Sequence, residues 1–277
     1  MLTLGMQARL FFRSFFLQTG WNFSKYQHIG LAFTMWPFLK KVYANDTKAL
    51  PSVLERYLEN FNTQPAMASF CIGALAHQEE RIAEAKTLAV HQGRLSEWNG
   101  IKRSLSITSA SIGDRLFWGA LKPLTLLMAL CLWLVLNVNF FEVQQEASFS
   151  SWSIWGPCMA AFFAFNTLSL FVKWKGISMS YFSPNNGCFG LTQFDWNKTI
   201  FQAKRLGIIL AVILLLWGVL YFIHDWQELL GLQFVTRAVM VLFFVSISFM
   251  TRDLRIPNMY IYIFSMVLFN LVCLFHL

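Results

Sequence analysis

Five apolar runs, at roughly 117–141, 152–172, 207–223, 234–249 and 257–277, constrain this chain more than anything else in it. Runs of this length and low charge read as membrane-crossing segments, the fourth being marginal in length. Hydrocarbon offers the backbone no partner, so a spanning segment must satisfy its own hydrogen bonds as a helix. Composition agrees: 56% of the 277 residues are apolar and 13% charged, about half the charge of a soluble domain. The expected class is all-α: a polytopic membrane protein with about five transmembrane helices, preceded by amphipathic and possible re-entrant helices. Two regions follow, an N-terminal one over 1–110 and a transmembrane one over 111–277.

The net charge of +8 does not point to nucleic acid, because the basic residues flank apolar runs where lipid and insertion rules account for them. Loop 142–151 holds Glu142 and Glu146 and no Lys or Arg, whereas loop 173–206 holds Lys173, Lys175, Lys198, Lys204 and Arg205. Loop 224–233 is again acidic, and Arg252 and Arg255 follow. This alternation places the N-terminus in the cytosol and the C-terminus outside. The five cysteines (71, 131, 158, 188 and 273) form no CxxC pair and read as small buried hydrophobes. Arg9 and Arg13 interrupt the first apolar residues, so no signal peptide is expected there.

The first half is broken into short pieces. Residues 5–19 set Arg9 and Arg13 four apart among four phenylalanines, which suits an interfacial amphipathic helix. The run from Ile29 to Leu39 is too short to span and contains Pro37. Pro51 suits a helix start, and Leu54, Tyr57, Leu58 and Phe61 recur at helical spacing. That helix is expected to end at Asn62-Thr63-Gln64-Pro65. Ala66 to Ala76, rich in small residues, is again too short to span. Such segments fit re-entrant or buried helices. Residues 81–99 read as polar, helix-prone and cytosolic.

At the boundary between the halves lies Ile112-Gly113-Asp114-Arg115-Leu116-Phe117-Trp118-Gly119, then Lys122-Pro123. Ionisable groups at such a depth mark either a site or an interfacial anchor of Trp with snorkelling cations. Sugar recognition needs amides and carboxylates for ring hydroxyls and an aromatic face for the ring C–H side. Asn62, Thr63, Gln64, Glu79 and Asp114 supply the first, Trp118 the second, and Gln18, Asn22 and Gln27 are further candidates. The competing readings are structural: Asn62 or Thr63 as the N-cap of a helix starting near Pro65, and Gln18, Asn22 and Gln27 as satisfied polar groups. His77, Glu80 and His91 are too loosely spaced for a metal. No activated nucleophile or phosphate-cradling glycine loop is visible. No cofactor is expected.

These residues fall into ordered blocks. Arg13-Ser14, Gln18, Asn22, Gln27, Gly30, Pro37, Lys40-Lys41 and Tyr43 form the first, Phe61-Asn62-Thr63-Gln64-Pro65 with Ile72-Gly73 and Glu79-Glu80 the second, and the Gly113 to Pro123 segment the third. Asn166, Lys173, Gly176 and Tyr181 echo a fourth. In this order and spacing the chain resembles the IID component of mannose-family phosphotransferase-system (PTS) sugar permeases. It departs at Gln64, where His is usual, at His77-Gln78, at Ser24, and in the residues before Gly113. The resemblance implies a bacterial inner-membrane subunit that pairs with a IIC subunit, several copies of each, to form a sugar-translocating channel. IIA and IIB would phosphorylate the entering hexose and would carry the phosphorylated residues, so this chain would be a transport subunit without catalytic residues. The departures admit a second reading, a non-transporting homologue acting as a regulatory or receptor membrane protein.

Overall fold

The computed structural model describes residues 1–85, 87–136, 151–185 and 188–225. Among these the elements are α1 (Leu4–Arg13), α2 (His28–Val42), α3 (Leu50–Tyr57), α4 (Ala68–Ala83), α5 (Leu88–Gly113), a π-helical segment (Asp114–Leu121), α6 (Lys122–Leu136), α7 (Ser151–Phe182) and α8 (Trp196–Asp225). The all-α expectation holds for them, with isolated β-bridges only at Asn22–Tyr26 and Tyr26–Phe61. Met1–Val212 forms one compact unit and Ile213–Leu277 another. The second is described only over 213–225, the end of α8.

Among the described residues, three helices are long and apolar enough to cross a membrane: Leu88–Leu136, Trp152–Phe182 and Trp196–Gly218. They overlap the first three apolar runs, residues 137–141 of the first lying outside the described residues. The runs at 234–249 and 257–277, the acidic loop residues 142–150 and 226–233, and Cys273 lie outside the described residues. The first of the three is longer than its apolar run, because α5, the π-helical segment and α6 are continuous over 49 residues. At 1.5 Å per residue that is about 74 Å, against roughly 30 Å of hydrocarbon. The polar half, with Arg94, Glu97, Lys102 and Arg103, therefore extends beyond the lipid core. The 110/111 boundary falls inside this helix.

The packing centre of the first unit is α4, which touches α2, α5 and α7. The run Ala66 to Ala76 is buried throughout, as a helix wrapped by protein would be. Its small residues permit close approach. Ser69 and Gly73 on α4 meet Gly176 and Ser180 on α7. Ser69 Oγ donates to the Ala66 and Val172 carbonyls at 3.0 and 3.3 Å, and Ser180 Oγ donates to the Phe70 carbonyl. Helices α6 to α8, by contrast, expose Leu126, Leu130, Phe162, Phe163, Phe201 and Ile208.

One helix boundary differs from the sequence expectation. Helix α3 runs over Leu50–Tyr57, with Pro51 in its first turn, and does not continue to Phe61. Phe61 is drawn out of the helix by backbone pairing: its N–H donates to the Lys25 carbonyl at 3.4 Å, and its carbonyl accepts from Gln27 N–H at 2.8 Å. Tertiary pairing overrides a helical apolar pattern here.

Candidate functional site

The first two sequence blocks meet through Gln27. This side chain is buried. Its Nε2 donates to the Thr63 carbonyl at 2.8 Å, and its Oε1 accepts from the Thr63 N–H at 3.0 Å. A carboxamide has the donor and acceptor of a peptide group, so Gln27 extends the backbone pairing of Tyr26 and Phe61 by one step. Asn22 closes the turn before it: its Oδ1 accepts from the N–H groups of Ser24 and Lys25 at 3.1 and 2.9 Å. Truncating Gln27→Ala leaves both backbone polar groups of Thr63 unpaired. We expect a loss of about 1–3 kcal/mol, read as a lower unfolding temperature in detergent.

The second and third blocks meet through Gln64 and Gly113. The following helix starts at Ala68, not near Pro65, and neither Asn62 nor Thr63 caps it; Gln64 instead holds the turn that leads into it. Its Oε1 accepts from the N–H groups of Ala66 and Met67 at 2.7 and 3.0 Å. A β-carbon on Gly113 would lie 2.5 Å from Gln64 Cβ and 2.9 Å from Met67 Cγ, so this crossing requires glycine. Directly after it the chain adopts π-helical geometry over Asp114–Leu121, a form often found at functional positions. Asp114 and Trp118 are exposed there. Lys122 Nζ sits 4.4 Å from the Trp118 ring centroid, and Arg115 donates to Asn197 Oδ1 at 3.3 Å.

Glu79 is fully buried in a different place. Tyr43 Oη and Arg56 Nη2 each donate to its Oε2 at 2.8 Å, and Tyr57 Oη donates to Oε1 at 3.0 Å. Burial raises the Glu79 carboxyl above the ordinary range, while Arg56 and the two phenols pull it back. Burial and the Glu79 charge also hold both phenols well above their ordinary value, so they remain donors. The Arg56 guanidinium lies 5.4 Å from the Trp98 ring centroid, and Lys102 Nζ lies 5.2 Å from it. The cluster thus ties α2, α3 and α4 to α5. Its neighbour Glu80 accepts from Tyr181 Oη on α7.

A cleft of about 750 Å³ opens between the 25–26 turn, the 59–62 segment and α5. It is lined by Lys25, Tyr26, Glu59, Asn60, Phe61, Asn62, Asn99, Lys102, Arg103, Ser106 and Ile107. Asn62 is exposed and turned to this space, whereas Thr63 and Gln64 on either side are buried.

The structure thus divides the nine candidates. Asn22, Gln27, Gln64 and Glu79 spend their side chains on internal hydrogen bonds. Thr63 is buried and engaged through its backbone. Gln18, Asn62, Asp114 and Trp118 are exposed. Gln27 is brought against Thr63, and Gln64 against Gly113, while Glu79 joins a group of its own. Arg56, Trp98, Asn99, Lys102 and Arg103 were not singled out from sequence. A signal existed on α5: Trp98, Lys102, Leu105, Ser109 and Gly113 recur at four- and three-residue steps and are buried. Lys and Ser within that stripe disguise it.

Comparison with known proteins supplies the family. The family model of the PTS system mannose/fructose/sorbose family IID component matches residues 2–215. The mannose-specific EIID component of Escherichia coli K12 is 31% identical over 173 residues, 62% of this chain and 53% of that protein. The sorbose-specific EIID component of Klebsiella pneumoniae is 32% identical over 180 residues, 65% of this chain and 57% of that protein. The fructose permease IID component of Bacillus subtilis 168 is 33% identical over 172 residues, covering 62% and 54%. The chain therefore spans about half the length of these curated relatives. In fold it resembles a chain of the cryo-EM complex of the mannose transporter ManYZ with microcin E492, with a TM-score of 0.52 at 21% identity, covering 99% and 97% of the two chains. A second solved chain, described only as a membrane protein, gives 0.61 at 21% identity, covering 98% and 97%. With a match over residues 2–215, motif blocks in order and a shared helical fold, this chain belongs to the IID component family of mannose/fructose/sorbose PTS systems.

Proposed function

We propose that this chain is the IID subunit of a hexose permease. It pairs with a IIC subunit in an inner membrane, N-terminus in the cytosol and C-terminus outside, and carries no phosphorylated residue of its own. IIA and IIB deliver phosphate to the sugar as it enters. The observation that carries this reading is the junction of the motif blocks: Gly113 packs on Gln64, and beside that crossing Asn62 keeps its amide free in a polar cleft. The exposed apolar faces of α6 to α8 support lipid and IIC as their neighbours. In this reading Asn62, Asp114 and Trp118 contact the sugar. Gln27, Gln64 and Glu79 hold the segments that present them, and Thr63 serves through its backbone.

The test is hexose uptake in cells that express this chain with its IIC partner and supply IIA and IIB. Uptake should require all of them. Asn62→Ala and Asp114→Asn should each reduce uptake at least tenfold while the complex still co-purifies. Normal uptake in both variants would refute the site. A second reading, a IID-type chain that assembles without transporting, is favoured by one observation: four candidate side chains are consumed internally. A stable complex with IIC and no uptake of mannose, fructose, glucose or sorbose would establish it.

A further inference from the structure

The cleft beside α5 has a charge pattern that a neutral sugar does not use. Three of its lining residues, Lys25, Lys102 and Arg103, are cationic, and Glu59 alone among them is acidic. Lys102 is the informative one. It is about nineteen-twentieths buried, on the part of the long helix that extends beyond the lipid core. Its Nζ donates to the Arg56 carbonyl at 2.8 Å, and the Glu59 carboxylate stands 3.9 Å away, beyond hydrogen-bond reach. An ammonium has three donors, so donor capacity remains, while its charge is balanced by the Glu59 carboxylate, itself 62% exposed, and by the Trp98 ring at 5.2 Å. Lys25 and Arg103 are exposed at the same cleft, and neither side chain bonds anything else among the described residues. Around these cations stand the amides of Asn60, Asn62 and Asn99, with the exposed Tyr26 as an aromatic wall. The wall is held in place: Tyr26 exchanges backbone bonds with Asn22 at 2.9 and 3.2 Å. The volume of about 750 Å³ is ample for a small ligand.

Clustered cations favour a phosphoryl group. Amides favour hydroxyls, and aromatic faces favour the C–H side of a sugar ring. We propose that this cleft is a binding site for a phosphorylated sugar, with Lys25, Lys102 and Arg103 on the phosphoryl group and Asn60, Asn62 and Asn99 on the ring hydroxyls. The site shares Asn62 with the transport reading but concerns a phosphorylated ligand bound outside the lipid core, and it is tested by binding, not by uptake.

The experiment is calorimetric titration of the full chain with its IIC partner in phosphatidylcholine nanodiscs. The probes are glucose 6-phosphate, glucose and inorganic phosphate. Glucose 6-phosphate should bind saturably and more weakly as salt rises, and at least tenfold more tightly than either other probe. The double variant Lys25→Gln/Arg103→Gln should weaken that binding at least tenfold. Both residues are exposed, so the fold should persist, and an unchanged unfolding temperature confirms it. Equal affinity in the parent and the double variant would overturn the proposal, as would equal affinity for inorganic phosphate. Nanodiscs containing phosphatidylglycerol separate the other source of the same chemistry. If that lipid abolishes glucose 6-phosphate binding, the cleft is a lipid-headgroup site and the proposal fails.

Discussion

Replacing Glu79 by glutamine should cost about 3–5 kcal/mol of stability, the usual consequence of removing one partner from a buried ion pair. Three donors converge on the carboxylate: Tyr43 Oη, Tyr57 Oη and Arg56 Nη2. The amide would turn N–H groups toward some of them and remove the charge that the guanidinium faces. Arg56 is only 16% exposed, so water cannot fully replace the lost partner. The measurement is unfolding of the purified protein in detergent, with Glu79→Gln beside the double variant Glu79→Met/Arg56→Met. The double variant should recover much of the loss, because a matched apolar pair leaves no lone charge. A loss below about 1 kcal/mol for Glu79→Gln would mean that the carboxylate is not structural, and would return it to the list of sugar ligands.

Filling the α4–α7 crossing should do comparable damage. A β-carbon on Gly73 would run into the Ile177 carbonyl, and one on Gly176 into Ser69 Oγ and the Phe70 ring. Overfilling a packed site usually costs about 1–3 kcal/mol. Here the obstacle at Gly73 is backbone, which cannot swing aside. Gly73→Val and Gly176→Val should therefore exceed that range and yield aggregated material on size exclusion. Gly100→Ala is the matched control: a β-carbon there meets nothing within 4 Å. It should stabilise α5 by about 0.5–1 kcal/mol through helix propensity. If Gly73→Val gave a monodisperse protein with unchanged unfolding, the close approach of α4 and α7 would be refuted.

The apolar runs could be read from the sequence because hydropathy is local. The described parts of the first three are helices in the structure, and the buried run Ala66 to Ala76 was recognisable from its small residues and its length. The motif blocks marked Gln27, Gln64, Gly113, Glu79 and Gly176, but their order alone did not distinguish ligand from support. That distinction depends on which group arrives from elsewhere in the chain. Glu79 looks like a free carboxylate until Arg56, 23 residues earlier, is placed against it. Gln27 looks like a ligand until the Thr63 backbone, 36 residues on, takes both ends of its amide. The cleft was hidden for the same reason, since its cations sit at 25, 102 and 103. The shorter α3 was hidden too, because Phe61 satisfies a helical period and is pulled away only by its backbone partners.

The π-helical stretch at Asp114–Leu121 has a rotational consequence. An α-helix advances about 100° per residue, and a wider turn takes up more residues for each revolution. The motif therefore sets the azimuth at which Lys122–Leu136 emerges relative to the polar half of the same rod. Deleting one residue between 114 and 121 lets the stretch relax toward ordinary α geometry, whose larger advance per residue offsets most of the loss, whereas inserting one would swing that exit by somewhat under about 100°. The stripe of α6 that now meets α7 would then face outward, with every side chain on it unchanged. In this segment the number of residues matters as much as their identity, and a one-residue insertion is expected to be worse tolerated than a one-residue deletion and than most substitutions.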